Sequence, residues 1–295
     1  MTNQDTIQSI QAAFAGLNYI ADEELATILF LILNLKKPLL LEGNPGVGKT
    51  EVAHVLAQHL GTELIRLQCY EGLDVNTAVY EWNYQKQLLA IKIQEQSQQS
   101  AAEKEAYIFG EDFLLKRPLL KAITADRPPV LLIDEVDRAD EEFEAYLLEL
   151  LSAFQISIPE IGTIRASHIP YVILTSNRTR ELSDALKRRC LYHWVNYPSP
   201  EKELQIVEKH FPGVQQDLAK SIIELVGHFR GMKLDKTPGI AETLDWINSL
   251  LALQHNHLSK RAIESTLGCV LKSTADIERI KSEGVAALLE QLNQA

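Results

Sequence analysis

Cysteine is scarce in this chain, with three residues in 295. Cys69, Cys190 and Cys269 lie far apart, with neither a CxxC pair nor the spacing of a metal-ligand set. A disulfide framework is thereby excluded, and the thiols read as reduced and mostly buried, as in a cytoplasmic protein. Positive charge is also in short supply: 29 Lys and Arg stand against 40 Asp and Glu, a formal net charge of −11. That balance argues against a nucleic-acid protein held by bulk electrostatics. No apolar run is long enough to cross a bilayer, which takes about 20 residues. The greasiest stretch, Leu25 to Leu33, ends at Asn34 and Lys36-Lys37 and reads as a core helix on a sheet. The N-terminus has no basic segment leading into an apolar core, so no signal peptide is expected.

What the chain does have is 46% hydrophobic residues, ample for a core, and a length that suggests two packed units. The organising stretch is Gly43-Asn44-Pro45-Gly46-Val47-Gly48-Lys49-Thr50. It follows the apolar run Pro38 to Glu42 and precedes a helical pattern opening at Glu51. Strand, glycine loop and helix in that order form the setting of a phosphate-binding loop. Glycines let backbone amides converge on phosphate oxygens without Cβ obstruction, and the helix start adds unpaired amides and a positive dipole end. Lys49 is expected to reach the β and γ phosphates, and the Thr50 hydroxyl to ligate Mg²⁺. A nucleoside triphosphate site is implied.

Further strands are expected at Leu64–Cys69, Val130–Glu135, Tyr171–Asn177 and Leu191–Val195, with a hairpin over Ile156–Arg165. Continuous apolar runs of this kind suit parallel strands buried on both faces. Alternation with helices implies a doubly wound α/β sheet. Leu73 to about Ile93 reads as helix, and Gln94 to Ser100 as a polar low-complexity loop or frayed helix end. At Asn196-Tyr197-Pro198-Ser199-Pro200 the character changes, marking a linker. Helices are expected beyond it at about 201–211, 214–230, 239–254, 259–271 and 275–292.

Asp134 and Glu135 end the second long apolar run. An acid at a strand end beside a phosphate loop can hold Mg²⁺ through water. The next carboxylate, Glu135, is placed to polarise an attacking water as general base. Asn177 ends the following buried strand, at the carboxyl edge where ligands of open α/β sheets bind. Arg188 and Arg189 precede the last strand, and either could stabilise phosphoryl charge on a neighbouring subunit, an effect worth about 10³–10⁵ in rate. His255 and His257 fall on different helix faces and read as surface residues.

In order and spacing these segments resemble the P-loop AAA+ ATPases. Gly43 to Thr50 is similar to Walker A, Val130 to Glu135 to Walker B, Asn177 to sensor 1, and Arg188-Arg189 to the arginine-finger position. Asp134-Glu135-Val136-Asp137-Arg138-Ala139 resembles the corresponding segment of the MoxR family. Tyr80 to Tyr84, Leu182 to Cys190 and Glu242 to Trp246 look like its CoxD-type branch, associated with maturation of molybdenum–copper carbon monoxide dehydrogenase and similar metalloenzymes. The resemblance implies an AAA+ domain over 1–198 with a helix-2 insert at about 70–112, then a small all-α lid over 199–295. It also implies an ATP-hydrolysing ring, hexameric in kind, with ATP and Mg²⁺ as cofactors. A partner with a von Willebrand A domain and a metalloenzyme client follow from the same resemblance. One departure stands out: Thr237-Pro238-Gly239-Ile240-Ala241-Glu242 lacks the arginine that many AAA+ lids place there as sensor 2. Two rivals remain, a DNA-directed AAA+ motor and a nucleotide-gated binding switch with slow turnover. No NKxD motif marks a guanine site.

Overall fold

The computed structural model describes residues 3–94 and 100–285. The expected loop at Gln94–Ser100 and the expected helix end beyond 285 fall largely outside these residues. The described residues divide into two compact units. One draws on Met1–Ile10, Glu23–Glu42 and Val52–Trp194, the other on Gln11–Asp22, Gly43–Glu51 and Val195–Ala295.

In chain order the elements run α1 (Asn3–Gly16), α2 (Glu23–Leu35), β1 (Leu39–Gly43), α3 (Lys49–Leu60) and β2 (Leu64–Gln68). There follow α4 (Val75–Ala78), β3 (Tyr80–Trp82), α5 (Tyr84–Gln94), α6 (Ala101–Ile108), β4 (Leu114–Lys116) and α7 (Pro118–Ile123). Then come β5 (Val130–Asp134), α8 (Glu141–Ala153), β6 (Gln155–Ile158), β7 (Gly162–Arg165), β8 (Tyr171–Ser176), α9 (Asp184–Arg189) and β9 (Leu191–Val195).

The first unit is built on a five-stranded sheet in the order β2-β5-β8-β1-β9. The pairs β2–β5, β5–β8 and β8–β1 are parallel. Every residue of β1 and β5 is buried, and β8 is buried from its second residue on. Those are the unbroken apolar runs of the sequence, placed in the sheet centre as helices on both faces require. β2 is an edge strand and alternates, with Ile65 and Leu67 buried and Arg66 and Gln68 exposed. Its register sets Gln68 against Asp134. Beyond that pair the Cys69 amide donates to the Asp134 carbonyl at 2.8 Å, continuing the ladder past the strand end.

The expected single helix over Leu73–Ile93 is instead broken into α4, β3 and α5. β3 pairs antiparallel with β4, setting Trp82 opposite Leu114. The strand wins because Trp82 buries its ring edge-on to Phe109, centroids 5.3 Å apart. Asn83 then starts α5 afresh, its Oδ1 accepting the Lys86 amide at 3.0 Å. A short aromatic run fits either period, and tertiary packing decides it. The hairpin β6–β7 forms where expected.

The second unit carries α10 (Pro200–His210), α11 (Gln216–Gly231), α12 (Ile240–Ala252), α13 (Lys260–Val270) and α14 (Thr274–Glu283). Its core centres on Trp246 and Phe229, fully buried and stacked with centroids 6.3 Å apart. The Trp246 indole donates to Thr266 Oγ1 at 2.7 Å, so burial leaves no orphaned donor. Among the described residues, no helix is long and apolar enough to cross a membrane.

Candidate functional site

The glycine loop leaves the carboxyl end of β1, and α3 begins at Lys49. A side chain at Gly43 is impossible, because a Cβ there would lie 2.3 Å from the Val195 carbonyl oxygen. Gly46 takes φ +75°, and its carbonyl accepts the amides of Ile240 and Ala241 at 2.9 and 3.4 Å. Gly239 packs so closely on Gly46 that a Cβ on it would meet the Gly46 carbonyl oxygen at 2.6 Å. The start of α12, where the sequence lacks an arginine, is therefore hydrogen-bonded to the loop through its backbone amides.

Lys49 is buried, 6% exposed, and its ammonium donates to the carbonyls of Gly43 and Asn44 at 2.7 Å each. Around it Val47 is buried and Asn44, Pro45 and Glu51 are exposed, with Gly48 and Thr50 intermediate. A buried cation wrapped by glycine-rich backbone is the donor set a triphosphate requires. Thr50 offers a hydroxyl oxygen and Asp134 a carboxylate, both donor types that Mg²⁺ takes. The Tyr19 ring lies within 3.8 Å of the position a Cβ on Gly48 would occupy. Burial raises the Tyr19 phenol well above its ordinary range, with the carboxylates of Asp22 and Glu51 adding to the effect, so it stays a neutral ring.

At the carboxyl ends of β2, β5 and β8 a polar group is assembled around two acids. Asp134 is 2% exposed. Its Oδ1 accepts the Thr175 hydroxyl at 2.5 Å. Its Oδ2 accepts Arg66 Nε at 3.1 Å and Nη2 at 2.5 Å. The Thr175 oxygen in turn accepts the Glu135 amide at 2.9 Å. Glu135 sits in the left-handed region, φ 55° and ψ 49°, which turns the chain sharply off the strand end. A non-glycine residue there is uncommon and such strain gathers at functional positions.

The Glu135 carboxylate is held from three sides. Asn177 Nδ2 donates to Oε1 at 3.4 Å, Gln68 Nε2 to Oε2 at 3.1 Å, and Arg138 Nη1 lies 3.2 Å from Oε2. Asn177 is itself positioned by Asp137, which accepts its amide at 3.2 Å and the amide and hydroxyl of Thr179 at 2.8 and 2.7 Å. The side chain of Glu135 remains 31% exposed, open to a solvent molecule.

Asp134, Glu135 and Asn177 are thus brought together. The two arginines are not in this group. Both lie on α9, which Ser183 caps by accepting the Leu186 amide. Arg189 Nε donates to Ser152 Oγ at 2.7 Å and Nη1 to the Ala185 carbonyl at 3.1 Å. Arg188 is exposed and has no hydrogen-bond or ion-pair partner among the described residues.

Gln68, Arg66, Thr175 and Tyr19 were not singled out from the sequence. Arg66 and Gln68 alternate with buried residues on an edge strand, which reads as an ordinary solvent face. Only the register of β2 on β5 shows that this face lies over the acids.

A family model for the AAA domain (dynein-related subfamily) matches residues 38–190. Protein NorQ of Paracoccus denitrificans (strain Pd 1222) is 24% identical over 259 residues, covering 85% of this chain and 86% of NorQ. Uncharacterized protein SH1500 of Staphylococcus haemolyticus (strain JCSC1435) is 25% identical over 271 residues, 89% of this chain and 95% of that protein. Among solved structures, the Thermotoga maritima RuvB Holliday junction branch migration motor aligns with a TM-score of 0.45 and 17% identity. That alignment covers 90% of this chain and 67% of RuvB. The family model spans the glycine loop, both acids, Asn177 and both arginines, and the chain belongs to the AAA family of nucleotide-hydrolysing ATPases, in its dynein-related subfamily.

Proposed function

We propose that the chain is an ATP-hydrolysing remodelling ATPase of the MoxR type, cytoplasmic and working as a hexameric ring on a protein client. The observation that carries this reading is the Glu135 carboxylate, fixed by Gln68, Asn177 and Arg138 beside the buried Asp134 and still open to solvent. A binding switch without turnover has no use for a carboxylate so held.

In this reading Gly43 to Glu51 bind the triphosphate, with Lys49 turning from its two loop carbonyls to phosphate oxygens. Thr50 and Asp134 would hold Mg²⁺, whose chemistry there would be to neutralise phosphate charge. Glu135 draws a proton from the attacking water, while Asn177 orients that carboxylate and reads the γ-phosphate. Arg188, exposed and unpaired among the described residues, is the residue that reaches a neighbour's nucleotide, and it accounts for assembly into a ring. Residues 1–198 form the nucleotide domain with its helix-2 insert, and 199–295 the lid.

The relationship to NorQ over most of both chains supports the MoxR type. The resemblance to the CoxD-type branch points to a metalloenzyme client awaiting its cofactor, and to a von Willebrand A domain partner. Phosphate release from ATP by the purified chain tests the core of the proposal. Turnover should be Mg²⁺-dependent and lost, with ATP binding, in Lys49→Ala. ATP bound unchanged by that variant would refute the loop assignment.

A further inference from the structure

A carboxylate as buried as Asp134 is costly unless charge or donors surround it. The pair that meets this need is asymmetric: the Asp134 side chain is 3% exposed, that of Arg66 49%. The acid is fixed by Thr175 and by its place at the end of a central strand. The guanidinium is tethered to an edge strand and half in water, so it can swing away with little loss of hydration. Arg66 also reaches along its own strand, its Nη2 donating to Gln68 Oε1. The other end of that amide donates to Glu135. Asp134, Arg66, Gln68 and Glu135 therefore form one hydrogen-bonded chain.

We propose that Arg66 is a place-holding cation at Asp134, covering its Oδ2 and competing for that oxygen with the Mg²⁺ that would accompany the nucleotide. Two cations cannot share one carboxylate oxygen without repulsion, so metal loading and the Arg66 contact compete. The exchange keeps Asp134 compensated in both states. It also frees Gln68 Oε1 when Arg66 departs, so that the amide holding Glu135 responds to the metal. Arg66 is here a positioning residue, acting through Asp134 and Gln68. The inference rests on the nucleotide reading above.

The test is a Mn²⁺ titration followed by electron paramagnetic resonance, with a saturating non-hydrolysable ATP analogue. Arg66→Ala should bind Mn²⁺ more tightly, its midpoint lowered roughly two- to fivefold, the weight of a half-exposed ion pair. Arg66→Gln, which keeps length without charge, should do the same, and Arg66→Lys should restore the parent value. The difference should shrink as salt rises. Unchanged or weaker Mn²⁺ binding in both neutral variants would make Arg66 a scaffold residue and overturn the inference alone. A parent protein that binds no analogue would overturn the nucleotide reading, and this inference with it.

Discussion

Gln68 Nε2 donates to Glu135 Oε2 across 3.1 Å, reaching from the edge strand to the residue just past its neighbour. Together with Asn177 on Oε1, it pins the carboxylate in one orientation. Orientation of a reacting group is worth large factors, and a displacement of about 1 Å can cost about 100-fold. Gln68→Ala should therefore lower kcat roughly tenfold or more while the KM for ATP stays put. Steady-state kinetics separate the two, and a change confined to KM would show that Gln68 serves binding instead.

Glu135→Gln removes the proposed base and changes little else, since an amide keeps the shape of the side chain. A positioned general base contributes about 10²–10⁴ in rate. The variant should bind ATP like the parent and release phosphate slower by that order. Isothermal titration and a phosphate assay on the same preparation check both halves.

Arg188 and Arg189 are adjacent in sequence and differ in environment. Arg189 is committed to Ser152 and the Ala185 carbonyl, whereas Arg188 is exposed and unpaired among the described residues. Arg188→Ala should reduce turnover of assembled protein by about 10³-fold or more. Arg189→Ala should act mainly through the α8–α9 packing and change turnover less. Mixing Arg188→Ala with Lys49→Ala subunits should restore part of the activity if the arginine works on a neighbour. No recovery in such mixtures would place the arginine's role within its own subunit.

Much of this arrangement was legible in the residues. The buried strands announced themselves as unbroken apolar runs, and the glycine loop, Asp134-Glu135 and Asn177 fell at their carboxyl ends. The helices of the second unit are punctuated by Gly213, Gly231 and Pro238-Gly239, close to their limits. What stayed hidden depends on register and packing. Arg66 and Gln68 gain meaning only from the pairing of Gln68 with Asp134. The β3 strand was hidden because Tyr80-Glu81-Trp82 satisfies two periodicities until Trp82 meets Phe109. The closure of Gly239 on Gly46 links residues far apart in the chain, and a glycine alone does not reveal its neighbour.

Cys69 makes the fold alkali-sensitive. Burial first, then the carboxylates of Asp134, Asp137 and Glu135, push its thiol from 9.0 up to about 12. Between those values the unfolded chain has lost this proton and the folded chain keeps it. The stabilising contribution is therefore whole below pH 9.0 and is lost as pH rises towards about 12. Melting temperature should fall more steeply over that window in the parent than in Cys69→Ala. Parallel slopes would show that Cys69 does not set the alkaline limit.

The second unit holds a buried ion pair whose worth can be separated from its cost. Glu203 is 1% exposed and accepts Arg230 through both oxygens, at 2.6 and 2.9 Å, and the Thr243 hydroxyl at 2.7 Å. Arg230 Nε meanwhile donates to the Pro238 carbonyl at 2.9 Å, so the pair also fastens the segment leading into α12. Removing the acid leaves a guanidinium that is 10% exposed without its counter-charge, a loss of about 3–5 kcal/mol. Replacing both partners by apolar residues of similar volume removes the desolvation cost with the attraction. Glu203→Leu should thus be strongly destabilised in urea unfolding, and Glu203→Leu with Arg230→Met should recover most of the loss. Failure of the double variant to recover would locate the stabilisation in the Pro238 and Thr243 bonds rather than in the ion pair.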